Sequence, residues 1–305
     1  MPQSRFTALA TALTILSLAL PASAATKITL GYGITSDYLP AFVAKDNGIF
    51  EKNGLDVTMV VVTSSSLTPP ALVSGSMQIA QANPPNLLLA YEGGIELVSI
   101  TGVARLMAKN PRTSLVTHPG FTITKAEDLR GKKVAVPGIN SAMDLVLRKW
   151  LIDGGVKPEQ VTIVEAPFAQ MGDMLKSGQL DAAFQFEPLL TRILASGSAT
   201  KSLDLMSMGN PDLLGSVWAA TKEWATANRG AVDAYRTSLN EAVDFINKNT
   251  EEAHKIEAKY LHYATSEVPD IEMQVTPQDF DYWAGLCRAV GLLHRPVDGA
   301  QLIFK

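Results

Sequence analysis

Strand-like and helix-like patterns of hydrophobic residues alternate along the chain, most clearly between residues 133 and 151. Lys133–Val136 is a short apolar run of β-favouring residues, which predicts a buried strand. Pro137 and Gly138, followed by Asn140 and Ser141, predict a tight polar turn with Ser141 as a helix N-cap. One helical face then carries the apolar residues Met143, Val146, Leu147, Trp150 and Leu151. Such a unit directs free backbone N–H groups to the carboxyl end of the strand, where open α/β sheets bind ligands.

A similar unit occurs earlier in the chain. Residues 27–37 show the same order of strand, polar turn and helix start as residues 133–144. Two further pairs of segments follow in the same order and at nearly the same spacing: 54–60 with 160–164, and 73–80 with 176–183. The ordered set predicts two lobes of like design, although any two βαβ units share part of this pattern.

The rest of the pattern predicts an α/β chain with a helical C-terminal part. Strands are expected at residues 27–34, 55–63, 77–82, 98–103, 113–117, 161–166, 180–186 and 215–221. Longer helices are expected at residues 37–47, 230–247, 251–262 and 277–290. The strands at 113–117 and 215–221 are candidates for the two crossings between lobes. We therefore expect residues 25–112 and 220–305 to form lobe 1, and residues 113–219 to form lobe 2.

The N-terminal segment has the features of an export signal. Arg5 precedes an apolar run over residues 8–20, and the sequence PASA at residues 21–24 ends it with an A-x-A pattern. We predict a signal peptide over residues 1–24, cleaved between Ala24 and Ala25. No later apolar run is long enough to cross a bilayer. We therefore expect a chain that is free in an exported compartment, for which the periplasm fits best.

Composition narrows the function further. The chain has 305 residues, 47% of them hydrophobic, with a net charge of −4 and no evident basic patch, so nucleic acid is not an expected partner. The single cysteine, Cys287, shares a helical face with Phe280 and Trp283, which predicts a buried thiol. The four histidines lack a third ligand at metal-binding spacing, and no G-x-S-x-G motif occurs. We expect no catalytic residue, no metal and no cofactor.

Three phrases in order resemble those of a known family. Residues 48–57 (GIFEKNGLDV), residues 128–136 (DLRGKKVAV) and residues 177–183 (SGQLDAA) followed by Glu187-Pro188 carry the resemblance. They are similar to the nitrate, sulfonate, taurine and thiamine-pyrimidine-precursor branch of periplasmic substrate-binding proteins of ABC transporters. The resemblance extends over essentially all of the chain after residue 24. It implies a type II periplasmic binding protein fold, with two similar α/β lobes, two crossover strands and hinge closure on a ligand.

The resemblance also implies partners. A small-molecule ligand would bind in the cleft, and separate ABC permease and ATPase subunits would complete an importer. Neither a P-loop nor a membrane span follows residue 24 in this sequence. We expect a monomeric chain that is not inserted in the membrane.

The strand ends supply the candidate ligand-binding residues. Donors in two facing turns come first, and further polar and aromatic residues extend the walls of both lobes. The expected ligand-binding residues are Ile34, Thr35, Ser36, Ser65, Ser66, Asn83, Gly138, Asn140, Ser141, Phe168, Phe186, Glu187 and Trp218. Helix capping explains each Ser or Thr equally well, and core packing is the alternative for each aromatic residue.

The sequence leaves the ligand class open. N–H-rich turns and the family branch favour a small organic anion such as a sulfonate or carboxylate. Against this, the predicted turns contain no Arg or Lys, and the positions of Arg105 and Arg192 in the fold are undetermined. The alternative is a pyrimidine or other aromatic ligand whose ring N–H pairs with Asp37 or Glu187. A ligand-sensing receptor subunit of the same fold is a further alternative, and an enzyme is the least favoured.

Overall fold

The computed structural model describes residues 25–107, 112–206, 212–262 and 268–305. The predicted signal peptide, residues 1–24, lies outside the described residues. The strands are β1 (Thr26–Tyr32), β2 (Leu55–Val61), β3 (Ile79–Ala82), β4 (Leu97–Met107), β5 (Thr113–Thr117), β6 (Lys133–Val136), β7 (Thr162–Glu165), β8 (Ala182–Phe186), β9 (Thr200–Leu203) and β10 (Asp212–Thr221). The helices are α1 (Leu39–Asp46), α2 (Ile49–Lys52), α3 (Thr68–Val73), α4 (Pro84–Glu92), α5 (Ala142–Asp153), α6 (Phe168–Lys176), α7 (Leu189–Ala195), α8 (Lys222–Ala227), α9 (Arg229–Lys248), α10 (Thr250–Leu261) and α11 (Gln278–Ala289).

Two five-stranded mixed sheets form the two lobes. The sheet of lobe 1 has the order β2-β1-β3-β10-β4, and the sheet of lobe 2 has the order β7-β6-β8-β5-β9. In each sheet three parallel strands come first, and the fourth strand runs antiparallel to them. The two sheets therefore repeat one topology, and the predicted α/β class with two similar lobes is confirmed.

The chain crosses between the lobes twice. The first crossing lies between β4 in sheet 1 and β5 in sheet 2, and the return lies between β9 and β10. The return comes earlier in the sequence than expected: residues 212–219, assigned from sequence to lobe 2, belong to the sheet of lobe 1. They lie there because β10 pairs with β4 in an antiparallel ladder from Asp212↔Met107 to Thr221↔Leu97.

Each lobe has a core on the faces of its sheet. In lobe 1 the amphipathic helix α9 buries Tyr235, whose ring stacks on Phe50 at a centroid distance of 5.6 Å. Helix α11 packs against both α4 of lobe 1 and α5 of lobe 2. Its Trp283 Nε1 donates a hydrogen bond to the Leu214 carbonyl at 3.0 Å, and its Cys287 is buried, as the helical pattern predicted. The C-terminal helix thus links the two lobes on the side of the crossings.

The short elements differ most from the sequence pattern. The helix predicted at residues 37–47 starts at Leu39 and is preceded by a 3-10 turn at Ser36–Tyr38, with Pro40 in the first turn of α1. The pattern gave no α4, α7, α8 or β9. Elements of four to seven residues show too little periodicity to be recognised, and α4, with the sequence PPNLLLAYE, has too few polar residues to show one. The longer predicted helices match α9, α10 and α11 to within one or two residues at each end.

Candidate functional site

A cavity lies between the lobes at the carboxyl ends of their parallel strands. It encloses about 90 Å³, or about 760 Å³ of empty space when the part open to solvent is included. Both lobes contribute to the wall, as do β4 and β10 beside the crossings, so a molecule inside touches both lobes. The lining residues are Gly33, Ile34, Thr35, Asp37, Tyr38, Val62, Thr63, Ser64, Ser65, Gln81, Asn83, Ala104, Leu106, Pro137, Ser141, Ala142, Met143, Phe168, Phe186, Met206, Gly215 and Ser216.

Several helices begin at this wall. Asn83 is the N-cap of α4 and Ser141 the N-cap of α5, while Phe168 is the first residue of α6. The 3-10 turns that lead into α1 and α3 also contribute lining residues. The first N–H groups of a helix have no partner within it and carry the positive end of the helix dipole. Helices α5 and α6 place such N–H groups at the wall, whereas α4 begins with Pro84 and Pro85, which have no N–H. No lining residue is cationic.

The N-terminus of α5 illustrates how the sequence builds this wall. Ser141 Oγ accepts the Asp144 N–H at 3.4 Å, which is the cap that the sequence predicted. Asp144 in turn accepts the Asn140 N–H at 2.7 Å, and Asn140 has the left-handed φ of 63° that the tight turn requires. Ala142 and Met143 follow the cap, and both line the cavity.

Asp37 is the one charged residue among the lining residues, and it is paired. Arg112 Nη1 donates to Asp37 Oδ1 at 2.5 Å, with both side chains less than one-tenth exposed. Burial raises the pKa of Asp37, and the Arg112 guanidinium opposes that shift. The Arg112 guanidinium also lies 5.3 Å from the centre of the Phe186 ring. Since Arg112 does not line the cavity, the pair presents its negative end to a ligand.

A second set of contacts closes the cleft on the other side. Ser66 Oγ of lobe 1 donates to Glu165 Oε1 of lobe 2 at 2.8 Å, and Glu165 Oε2 accepts the Ile139 N–H at 2.9 Å. Desolvation raises the pKa of Glu165, but hydrogen bonds from Ser64, Ile139 and Ser66 outweigh it and leave the pKa below its ordinary value. We call the contacts of Ser66, Glu165 and Ile139 the interlobe latch.

The same two turns approach each other closely beside the latch. A Cβ atom added to Gly138 would lie 2.4 Å from Ser65 Oγ and 3.2 Å from the Ser66 nitrogen. A side chain at this point of lobe 2 would therefore require the Ser65 hydroxyl to rotate away and the Ser66 backbone to shift by a few tenths of an ångström while the cleft is closed. Ser65 Oγ is buried at the cavity wall and has no hydrogen-bond partner among the residues that the structure describes.

The structure brings seven of the thirteen predicted residues to the cavity wall: Ile34, Thr35, Ser65, Asn83, Ser141, Phe168 and Phe186. Four others lie in the same turns without lining the cavity. Ser66 belongs to the latch, Gly138 forms the close approach, and Asn140 shapes the turn before α5. Ser36 is fully buried behind the wall.

Glu187 and Trp218 lie away from the cavity for different reasons. Glu187 accepts the Thr191 N–H at 3.2 Å and the Thr191 hydroxyl at 3.0 Å, so it braces the first turn of α7. Trp218 is 2% exposed and packs behind Tyr38 at a ring-centroid distance of 5.2 Å, where it supports the wall. Capping and core packing, the alternatives considered from sequence, describe these two positions.

Neither arginine considered from sequence reaches the cavity. Arg105 is engaged by two carboxylates, Asp212 at 2.5 Å and Asp279 at 2.9 Å, and its neighbours Ala104 and Leu106 line the cavity instead. Side chains alternate across a strand, so Arg105 points to the opposite face of β4. Arg192 is exposed on α7.

Sequence reasoning missed Arg112, Glu165, Gln81 and the two cavity methionines, Met143 and Met206. The position of Arg112 in the sequence could have indicated its place near the cleft, because it directly precedes a strand that was expected to cross between lobes. Glu165 lies at the end of a predicted strand, and polar residues at the other strand ends were interpreted as ligand contacts. The same reasoning applied to Glu165. Gln81 accepts the Tyr38 hydroxyl at 3.0 Å inside the core, a contact without a local sequence signal.

Over the ranges that the structure describes, no group of three or more His, Cys, Asp or Glu side chains is placed to hold a metal ion. In those same ranges, every helix is too short or too polar to span a bilayer.

Comparison with known proteins gives consistent matches. The family model described as NMT1/THI5 like matches residues 35–253. A protein of Brucella abortus (strain 2308) is 30% identical over 266 residues, covering 86% of this chain and 79% of the relative. The taurine-binding periplasmic protein of Escherichia coli (strain K12) is 28% identical over 223 residues, covering 72% and 66% respectively.

A solved structure supports the fold. The alkanesulfonate-binding protein SsuA from Xanthomonas axonopodis pv. citri bound to MOPS superposes with a TM-score of 0.77 at 20% identity, covering 93% of this chain and 99% of that one. The expected periplasmic binding protein fold is thereby confirmed. Because the family model spans more than half of the sequence and the Brucella relative is covered over most of its length, the chain belongs to the NMT1/THI5-like family.

Proposed function

We propose that this chain is the solute-binding component of an ABC importer and that it captures a small organic anion, such as a sulfonate or carboxylate, between its lobes. The observation that carries the proposal is the cavity that both lobes wall and at which the N-termini of α5 and α6 begin. The relatives named for taurine and alkanesulfonate binding support the same ligand class.

Helix N-termini alone do not supply the free energy of binding that micromolar affinity requires. A helix N-terminus stabilises an anion by about 0.3–1 kcal/mol, whereas micromolar affinity corresponds to about −8 kcal/mol. Phe168, Phe186 and Met143 supply apolar wall against which the organic part of the ligand packs. Burial of roughly 100 Å² of apolar surface adds about 2.5 kcal/mol, and side-chain hydrogen bonds such as one to Ser65 Oγ add the remainder.

Closure follows from the position of the cavity. A ligand that touches both lobes binds the closed form better than the open form, and it can shift the equilibrium only by that difference in affinity. The interlobe latch forms when the lobes meet, so ligand binding and latch formation support each other. The closed form then offers both lobes together to a partner.

In this role the chain works with other subunits. A separate permease and a separate ATPase supply membrane passage and energy, and the chain acts as a periplasmic monomer released from its predicted signal peptide. This role is binding and delivery of the solute without chemical change. A sensing role in the same fold would need a receptor in place of the permease.

One observation favours a second candidate ligand. Asp37 and Gln81 place hydrogen-bonding oxygen and nitrogen atoms on a wall that has no cationic lining residue. A neutral pyrimidine or related heterocycle could pair its ring N–H with Asp37 and lie against Phe168 or Phe186. This is the alternative that the sequence also left open.

A ligand screen tests the proposal. The chain starting at Ala25 is purified, and thermal unfolding is followed with alkanesulfonates, taurine, carboxylates, nitrate, pyrimidines and riboflavin. A ligand at one hundred times its Kd stabilises the folded chain by about 2.7 kcal/mol, a readily measured shift. Stabilisation by a sulfonate or carboxylate supports the anion site, stabilisation by pyrimidines alone favours the second candidate, and no shift with any small solute contradicts the binding function.

A further inference from the structure

We propose that Asp37 determines specificity within this site: it selects solutes that carry a hydrogen-bond-donating or cationic group, such as an ammonium, in addition to their anionic group. This inference rests on the proposed function and deepens it by assigning a dipolar ligand. It follows from the opposite polarity of the two walls of one cavity.

The wall of lobe 1 presents a carboxylate, that of Asp37, to the cavity. Asp37 lines the cavity, while its partner Arg112 stands behind it, so the dipole of the ion pair points its carboxylate toward the ligand. An ionised carboxylate offers about four lone-pair sites, of which Arg112 and Thr35 use part. The remaining capacity suits a donor on the ligand.

The wall of lobe 2 presents the positive N-terminal end of helix α5 to the cavity. Ala142 and Met143 open α5 at the cavity, where helix N–H groups without intrahelical partners donate hydrogen bonds to an anion. A second and independent feature points to a ligand here. Ser65 Oγ, buried at the wall opposite, is left without a hydrogen-bond partner by the residues that the structure describes.

Arg112 makes Asp37 suitable for this role. The 2.5 Å contact and the Phe186 ring beside the guanidinium fix the carboxylate in position before a ligand arrives. A simple anion would bring like charge to a buried carboxylate and leave its acceptor sites unsatisfied. Sites that are built to hydrogen-bond a ligand group reject analogues that lack it, because their buried polar atoms are then left unpaired.

The test uses ligand pairs that differ only in the amine. Affinities of the chain starting at Ala25 are measured by calorimetry for 3-aminopropane-1-sulfonate and propane-1-sulfonate, and for 4-aminobutanoate and butanoate. We expect the amine-bearing member of at least one pair to bind ten or more times more tightly. The double variant Asp37→Asn with Arg112→Gln removes the ion pair as a unit, and it should reduce that ratio to threefold or less.

Controls separate the possible failures. Asp153→Asn changes an exposed carboxylate on the outer end of α5 and should keep the wild-type ratio. Binding of the anions with no preference for the amine overturns the role of Asp37 and leaves the anion site standing. Absence of binding by all four solutes overturns the anion site and the role of Asp37 together. A ratio that survives in the double variant also overturns the role of Asp37, even if the variant is less stable.

Discussion

Ser66 Oγ donates a hydrogen bond to Glu165 Oε1 at 2.8 Å, although Ser66 belongs to lobe 1 and Glu165 to lobe 2. The same carboxylate accepts the Ile139 N–H at 2.9 Å, so a single side chain holds a turn from each lobe. The Glu165 side chain is not packed in the core of lobe 2, because it is exposed at the end of β7. Its bond with Ser66 therefore belongs to the closed arrangement of the lobes, whereas its bond with Ile139 lies within lobe 2.

Replacing Glu165 should weaken ligand binding more than folding. Glu165→Ala removes both hydrogen bonds of the latch, of which only the bond from Ser66 joins the two lobes, and that bond stabilises the closed form by about 1 kcal/mol given the exposure of the side chain. We expect Kd to rise about fivefold with the melting temperature of the unliganded chain nearly unchanged. Calorimetry and thermal unfolding measure the two effects. Glu159→Ala, at an exposed position of the same lobe, is the control. An equal loss of affinity in that variant would show that the latch does not cause the effect.

The latch should also respond to acid. The pKa of Glu165 in the closed form lies below its ordinary value of 4.5, because hydrogen bonds from Ser64, Ile139 and Ser66 outweigh desolvation. The stabilisation of the closed form is therefore present above pH 4.5 and is lost as the pH falls through the lowered pKa. Ligand affinity of the wild-type chain should decline in that range more steeply than affinity of Glu165→Ala. Parallel pH profiles for the two chains would contradict this assignment.

Arg105 should support the hinge without contacting the ligand. It pairs with Asp279 at 2.9 Å and with Asp212 at 2.5 Å, and so ties both crossing strands to the start of α11. Arg105→Ala should lower the free energy of unfolding by about 1–2 kcal/mol and leave Kd within threefold of wild type. Chemical denaturation and calorimetry measure these quantities. Arg192→Ala is the matched control and should change neither, whereas a large loss of anion affinity in Arg105→Ala would place that arginine in the site.

The sequence predicted the local features of the site and missed those that depend on distant contacts. Ser141 was identified as a helix cap from a pattern of four residues, and its hydroxyl caps α5. The Asp37–Arg112 pair joins positions 75 residues apart and depends on how the first crossing packs against lobe 1. No pattern within one segment carries that information.

Trp218 shows a different limit. It lies on β10, where Ser216 lines the cavity, and simple alternation would place both side chains on the same face. The pairing of β10 with β4 shifts register between Ser216 and Val217 and again after Trp218, and the tryptophan packs behind Tyr38 instead. Such irregularities arise from tertiary packing, so the sequence could predict the strand but not which of its residues face the ligand.

Cys287 should make stability depend on alkaline pH. Burial raises the pKa of its thiol from 9.0 to about 12. The unfolded chain therefore loses the thiol proton near pH 9 while the folded chain retains it, so the contribution of the neutral thiol to stability falls as the pH rises from 9 toward 12. The stability advantage of the wild-type chain over Cys287→Ala should shrink by up to about 1.4 kcal/mol for each pH unit above 9. Denaturation at pH 8 and pH 10 tests this, and a constant difference would contradict a buried neutral thiol.

Gly138 should be required for closure and dispensable for folding. In the closed cleft its added Cβ would lie 2.4 Å from Ser65 Oγ, and the Ser66 nitrogen next to it is backbone that cannot move aside independently. Gly138→Ala therefore forces the two turns apart, and the open form relieves the clash because the turns separate. We expect ligand affinity to fall at least tenfold, which corresponds to about 1.4 kcal/mol, while the unliganded chain melts within a few degrees of wild type.

Gly230→Ala provides the matched control for this change. Gly230 lies in α9, and a Cβ there meets nothing within 4 Å. Alanine in a helix is favoured over glycine by roughly 0.5–1 kcal/mol, so this variant should be slightly more stable and bind the ligand with wild-type affinity. Small-angle scattering with saturating ligand completes the test, because Gly138→Ala should keep a larger radius of gyration than Gly230→Ala. Equal compaction and equal affinity of the two variants would show that the lobes close on the ligand without bringing Gly138 against Ser65.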